Sequence, residues 1–135
     1  MSIISVRAAL QSKLDGMSPA LATAWENFKD DSVPIDGVPY QAAYLLPSVE
    51  NPTIGDGYYR LIGIFQINLY YPLLEGTATA EARAELISTT FKRGTSMASG
   101  GITTRIEKTP EIMPGRADGD RWMIPIKIRF FAGVN

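Results

Sequence analysis

The sequence predicts an α+β fold, with a mixed or mostly antiparallel sheet of about four strands and two helices on one face. The prediction depends on a long alternating strand at residues 59–71 and an amphipathic helix at residues 77–93, closed by Gly94. Alternating segments then follow that can pair with the long strand. The 135 residues, 45% hydrophobic and 20% charged, fit a single domain over residues 1–135.

The N-terminal segment shows helical spacing of apolar residues. Gly16 is placed to end this helix. Residues 21–25 fit a short edge strand, and residues 40–46 read as a strand ended by Pro47. The apolar stripe of the helix consists of Ile3, Val6, Leu10 and Leu14.

The long strand has two unlike faces. One face is apolar throughout, and the other becomes polar at Gln66 and Asn68, as expected when helices cover one side of a sheet. Gly63 lies among the apolar positions and indicates a bulge or a close approach of another backbone. The helix that follows is expected to face the sheet with Ala80, Ala84, Ile87 and Phe91.

Two further strands are predicted after this helix. Residues 102–106 and 122–131 both alternate. Because Pro125 cannot donate a backbone hydrogen bond, the last strand is expected at an edge of the sheet or to bulge there.

Composition excludes several classes of chemistry. The chain has no cysteine and no histidine, so it lacks thiolate chemistry, the commonest general base and the commonest transition-metal ligand. The formal net charge of −1 does not favour a general nucleic-acid binder. No membrane span and no signal peptide are recognised, so a cytosolic protein without cofactors is expected.

One motif looks catalytic. The segment Gly-Thr-Ser-Met-Ala at residues 94–98 is similar to the nucleophile segment of subtilisin-like proteases. That family needs a histidine base and a chain about twice as long, and Gly100 replaces its usual proline. We interpret the match as coincidental.

Three carboxylate pairs have simpler readings than metal or acid–base sites. The pair Asp118 and Asp120 has the spacing that opens a calcium loop, but no closing glutamate follows, so a turn is predicted. Glu81 and Glu85 are read as a solvated helix face, and residues 30–31 as an acidic turn. The sequence predicts no catalytic, cofactor or metal residues.

Long loops are the remaining candidates for function. Residues 48–57, 92–101 and 109–121 belong to irregular stretches that together make up roughly a third of the chain, and apolar residues on exposed loops favour protein contacts. The predicted subunit or partner interface consists of Pro52, Asp56, Tyr58, Met97, Ile112, Met113, Pro114 and Arg116.

The order of several segments resembles the small tail terminator proteins of long-tailed bacteriophages and prophages. They are Trp-Glu-Asn at 25–27, Tyr-Leu-Leu-Pro at 44–47, Gly-Ile-Phe-Gln-Ile-Asn-Leu at 63–69, the helix ending at Phe91, and the strand opened by Trp122. The resemblance runs from about Leu21 to Phe131. The turn at residues 71–76 is less glycine-rich than expected for this family.

The resemblance implies a homohexameric ring that caps the tail tube, ends its polymerisation and offers its other face to the head-proximal neck or connector. DNA would pass through the ring without specific binding. The protein would act in the virion at the tail–neck junction, after assembly in the host cytoplasm. Two alternatives remain open, another neck or head–tail completion protein of the virion and a small carboxylate-dependent hydrolase.

Overall fold

The structure is a computed structural model that describes residues 2–27, 37–50 and 59–134. The helices are α1 (Ser2–Asp15) and α2 (Ala78–Thr90). The strands are β1 (Thr23–Trp25), β2 (Tyr40–Glu50), β3 (Tyr59–Pro72), β4 (Ser96–Ser99), β5 (Ile102–Ile106), β6 (Glu111–Ile112), β7 (Arg116–Asp118) and β8 (Arg121–Val134). The predicted helix over residues 77–93 therefore ends earlier, at Thr90.

All the described strands form one sheet with the order β1-β2-β3-β8-β5-β4, and β6 and β7 also pair with β8. Strand β1 is parallel to β2, whereas the other pairs are antiparallel. The α+β class and the mixed, mostly antiparallel sheet are confirmed. The predicted number of about four strands was wrong, because the described residues form a sheet of eight.

The core lies between the sheet and the two helices. In β3 the alternate residues from Leu61 to Tyr71 are buried, apart from Gly63, while their neighbours are half-buried. One cluster joins these residues to Val6, Leu10 and Leu14 of α1 and to Ala80, Ala84 and Ile87 of α2. The predicted stripes of both helices are thus confirmed, with both helices on the same face of the sheet.

The additional strands lie in segments predicted as loops. Strand β4 is inside residues 92–101, and β6 and β7 are inside residues 109–121. Together β5, β6 and β7 follow almost the whole length of β8, linked between strands by backbone bonds from Glu107 to Arg129 and from Met113 to Pro125. Pro110, Pro114 and Gly115 interrupt this run, which hides its alternation in the sequence.

Pro47 does not end β2, which continues to Glu50. The backbone N–H of Leu45 donates to Oε1 of Glu26 at 2.6 Å, so it points away from β3. Two residues later the Pro47 nitrogen points the same way, beyond the end of β1, and costs the β2–β3 ladder no hydrogen bond.

The edge position predicted for the last strand was also wrong. Strand β8 is internal, with β3 on one side and β5, β6 and β7 on the other. The Pro125 carbonyl accepts from Met113 N–H, so the Pro125 nitrogen also faces the gap between β6 and β7. The N–H group that Pro125 lacks would therefore point to a place where β8 has no regularly paired strand.

Candidate functional site

The motifs that resemble catalytic or metal sites lie in ordinary structural positions. Ser96 of the protease-like segment is the first residue of β4 and is exposed. Asp118 ends β7, and Gly119 and Asp120 form the predicted turn into β8. Glu81 and Glu85 are exposed on α2. In the described ranges, no group of three or more Asp or Glu residues is placed to hold a metal ion.

Among the described helices, none is long and apolar enough to cross a membrane.

The predicted interface residues are spread over several places. Met97 packs against the core from β4. Ile112 is 41% exposed on β6, Pro114 and Arg116 are exposed, and Met113 is half-buried. These last four residues belong to one segment that runs alongside β8. Pro52, Asp56 and Tyr58, and the acidic pair at residues 30–31, lie outside the described residues.

The face of the sheet that the helices leave open carries a group of uncharged side chains, which we call the tyrosine patch. The register of β2 and β3 puts even-numbered residues of both strands on this face. Tyr44 is 39% exposed and Leu46 is 50% exposed. The patch consists of Tyr40, Tyr44, Leu46, Ile62, Ile64, Gln66, Asn68 and Tyr70.

Contacts within the tyrosine patch hold its aromatic rings in place. Tyr40 and Tyr70 stack with ring centroids 4.7 Å apart, and the guanidinium of Arg121 lies 5.1 Å from the Tyr40 ring centre. Arg121 also donates to the Val38 carbonyl. Burial, together with neighbouring Tyr70, raises the pKa of both Tyr40 and Tyr44, so these phenols stay neutral at physiological pH.

Beside the tyrosine patch, a second group of residues is positively charged. Arg105 and Arg129 are exposed on neighbouring strands, with Lys127 half-buried and Lys108 exposed nearby. None of the four makes an ion pair with a described residue. Glu107 lies 4.0 Å from Arg60, and Glu111 is opposite Lys127 on β6. We call Arg105, Lys108, Lys127 and Arg129 the basic group.

Two hollows lie at this end of the open face. One, of about 340 Å³, is lined by Lys108, Thr109, Pro110, Glu111, Lys127 and Arg129. The other, of about 280 Å³, is lined by Leu46, Ser48, Ile62, Gly63, Ile64, Glu107, Arg129 and Phe130. Because Arg129 lines both, a charged hollow adjoins one whose walls are partly apolar.

Sequence reasoning did not find the exposed apolar residues outside the predicted loops. Tyr44 and Leu46 alternate with buried Ala43 and Leu45, but both faces of residues 42–46 are apolar in the sequence, so the pattern carried no signal for which of them is exposed. Leu74 had no signal either. It is 98% exposed with φ of 65°, a conformation that the sequence did not indicate.

Comparison with known proteins shows that solved structures share this fold. A solved structure with 26% sequence identity superposes with a TM-score of 0.75, over 94% of this chain and 92% of that chain. It is one of six solved chains that match. The comparison with curated proteins finds no match.

The family comparison covers nearly the whole domain. The model of the phage tail terminator protein family matches residues 5–130, from the first helix to the last strand. Its members are structural proteins of the phage tail, which agrees with the resemblance seen in the sequence. The chain therefore belongs to the phage tail terminator protein family.

Proposed function

We propose that this protein caps the phage tail tube as a homohexameric ring, ends tube polymerisation and joins the tube to the head-proximal neck. The family match over residues 5–130 carries the proposal. The protein then acts as a structural part and not as an enzyme. Its place is the tail–neck junction of the virion, reached after assembly in the host cytoplasm.

The two sides of the sheet support a ring built from identical subunits. Head-to-tail packing requires two unlike surfaces on each subunit, and it closes into a ring when the rotation between neighbours closes. Helices cover one side of this sheet, whereas the tyrosine patch and the basic group lie on the other. A subunit with such different sides suits heterologous contacts.

The composition of the tyrosine patch supports contact with other protein subunits. Interface centres are rich in aromatic residues and poor in charge. The patch has three tyrosines and no charged side chain, and Gln66 donates to Asn68 within it at 3.1 Å. Amide groups held this way keep donors and acceptors available for a partner. The exposed residues Ile112, Pro114 and Arg116 remain candidates for the same role.

The proposed ring leaves a channel through which DNA passes without specific binding. The near-zero net charge of −1 is compatible with weak attraction of the whole chain to phosphate.

Electron microscopy of tails assembled without this protein tests the proposal. We expect tubes of irregular length, many longer than normal, that do not join heads. Supplying the intact gene in trans should restore uniform tails and joined particles. Tails of normal, uniform length that still join heads would rule out a terminator function.

A further inference from the structure

Helix α2 presents an acidic surface on the side of the molecule opposite the basic group. Glu81 and Glu85 are one helical turn apart and exposed, and exposed Glu75 precedes the helix. None of the three makes an ion pair with a described residue. The one arginine of the helix, Arg83, is 7% exposed and donates to the Pro19 carbonyl, so its guanidinium is bonded to the chain's own backbone and not to these carboxylates.

An apolar side chain directly precedes Glu75, the first of these carboxylates. Leu74 is 98% exposed and has φ of 65°. A left-handed conformation costs a residue with a Cβ roughly 1–2 kcal/mol. The turn between β3 and α2 thus holds a leucine outward, in a strained conformation, without burying it within the chain. Such a residue is suited to anchor a contact with another molecule.

The basic group offers the opposite chemistry on the open face of the sheet. The basic group supplies four positive charges, and the carboxylates of Glu107 and Glu111 supply two negative charges. Glu107 also lies near Arg60, so the surface is net positive. Next to it lies the hollow of about 280 Å³ walled by Leu46, Ile62 and Ile64. Cations beside an apolar hollow match carboxylates beside an apolar anchor.

We propose that these surfaces meet in a head-to-tail contact between two copies of this chain. The carboxylates of Glu75, Glu81 and Glu85 in one copy pair with the basic group of the next, and Leu74 enters the hollow beside Arg129. The assignment rests on the proposed function, since it names the surfaces that join neighbouring subunits of the ring. Complementary charge favours a second copy of the chain as the binding partner over nucleic acid, because phosphate would be repelled by the acidic surface of α2.

A charge-exchange experiment tests this contact. The sheet variant K127E/R129E makes the open face acidic, and the helix variant E81R/E85R makes α2 basic. In each variant alone, like charges then face each other across the contact. In an equal mixture, acidic α2 of the sheet variant meets the basic face of the helix variant, and basic α2 meets the acidic face.

Sedimentation at low ionic strength gives the readout, because screening by salt weakens exposed pairs. We expect each variant alone to associate at least tenfold more weakly than the wild type, and the mixture to regain wild-type association. Zero-length carbodiimide cross-linking should join Lys127 or Lys108 of one copy to Glu81 or Glu85 of another. The control K13E/D15R, at the end of α1, should associate as the wild type does.

Three results would overturn the contact. They are association unchanged in both variants, a mixture that stays as weak as its components, and a wild type that is monomeric and uncross-linked at every concentration. Loss of association in the sheet variant with none in the helix variant would show that α2 is not the partner of the basic group, and this too would overturn the contact.

The anchor is tested separately by Leu74→Asn, because asparagine tolerates the left-handed conformation. Its monomer should unfold at the same or higher denaturant concentration than the wild type, while association falls at least tenfold. Wild-type association by this variant would remove Leu74 from the contact.

Failure of the contact is distinguishable from failure of the proposed function. If charge-reversed variants still give tails of uniform length, the contact is wrong but the capping function stands. If the mixture restores oligomers in solution but deletion of the gene leaves tail length unchanged, the contact stands and the function is wrong.

Discussion

Gly63 shows how one residue allows the central strands to pair. A Cβ at this position would lie 2.2 Å from the Leu46 carbonyl oxygen on the neighbouring strand. The sequence predicted either a bulge or a close backbone approach here, and the close approach is confirmed. The partner residue was not predictable, because it depends on the register of β2 against β3.

Replacing Gly63 by alanine should therefore be costly. We expect Gly63→Ala to lower the free energy of unfolding by about 2–4 kcal/mol, since a backbone atom must move. The matched control is Gly119→Ala, where φ is +61° and no heavy atom lies within 4 Å of the added Cβ. It should cost only about 1–2 kcal/mol, from backbone conformation alone. Equal losses in urea unfolding would contradict the close approach.

Glu26 links three parts of the chain through one carboxylate. Its Oε1 accepts from Arg7 at 3.0 Å and from the Leu45 backbone N–H at 2.6 Å. Burial opposes the charged form, but the bonds from Leu45 and Arg7 together outweigh it and lower the pKa of Glu26. Nothing in the sequence marked this residue as a link between α1 and β2.

The lowered pKa of Glu26 predicts a dependence of stability on pH. The unfolded carboxyl binds a proton more readily than the folded one, so the stabilisation is complete well above pH 4.5 and is lost as pH falls through the folded pKa. At pH 7 we expect Glu26→Gln to cost about 0.5–1 kcal/mol, a small value because the side chain is 32% exposed.

The difference between Glu26→Gln and the wild type should shrink as pH falls below about 4.5, measured by urea unfolding at several pH values. Glu85→Gln, which removes an exposed carboxylate from α2, controls for the loss of one negative charge. A difference between Glu26→Gln and the wild type that stays constant down to pH 3 would refute the role of the Glu26 charge.

At the scale of elements, α2 approaches the sheet through small residues. Ala84 is fully buried and Ala80 is 2% exposed, while Ile87 and Phe91 fill the space at the other end of the helix. Phe91 and Phe65 pack with ring centroids 6.0 Å apart. The spacing of these four residues predicted this arrangement, because it places them on one face of a helix.

Enlarging Ala84 tests this close packing. Ala84→Leu should lower the free energy of unfolding by about 1–3 kcal/mol, because the larger side chain pushes α2 away from the sheet. Ala82→Leu makes the same change on the exposed side of the helix and should alter stability by no more than about 0.5 kcal/mol. Similar losses of stability in Ala84→Leu and Ala82→Leu, measured by thermal unfolding, would show that α2 does not pack tightly against the sheet at Ala84.

Strands β4, β6 and β7 were the elements that the sequence did not predict, although it did predict the equally short β1. Strands β6 and β7 have only two and three residues and exist because β8 offers them a continuous partner. Their stability is not local, so propensity carries no signal for them. The same tertiary context explains both prolines, whose nitrogens face gaps in the sheet that only the topology reveals.

At the scale of the whole molecule, the sequence predicted the fold class, the single-sided helix layer and the family, since all three depend on long periodic segments in a fixed order. The surfaces were harder to predict. The tyrosine patch and the basic group each combine residues from distant strands, so they appear only once β2, β3, β5 and β8 are paired. Loops alone therefore gave an incomplete set of candidate contacts.

The action proposed for this protein is to stop growth of the tail tube. Its most direct test adds purified protein to tail tubes while they are still growing and follows tube length by electron microscopy. We expect the length distribution to stop changing at the moment of addition, with new density at the growing end, while tubes that receive buffer continue to lengthen. Tubes that lengthen equally with and without the protein would contradict the claim.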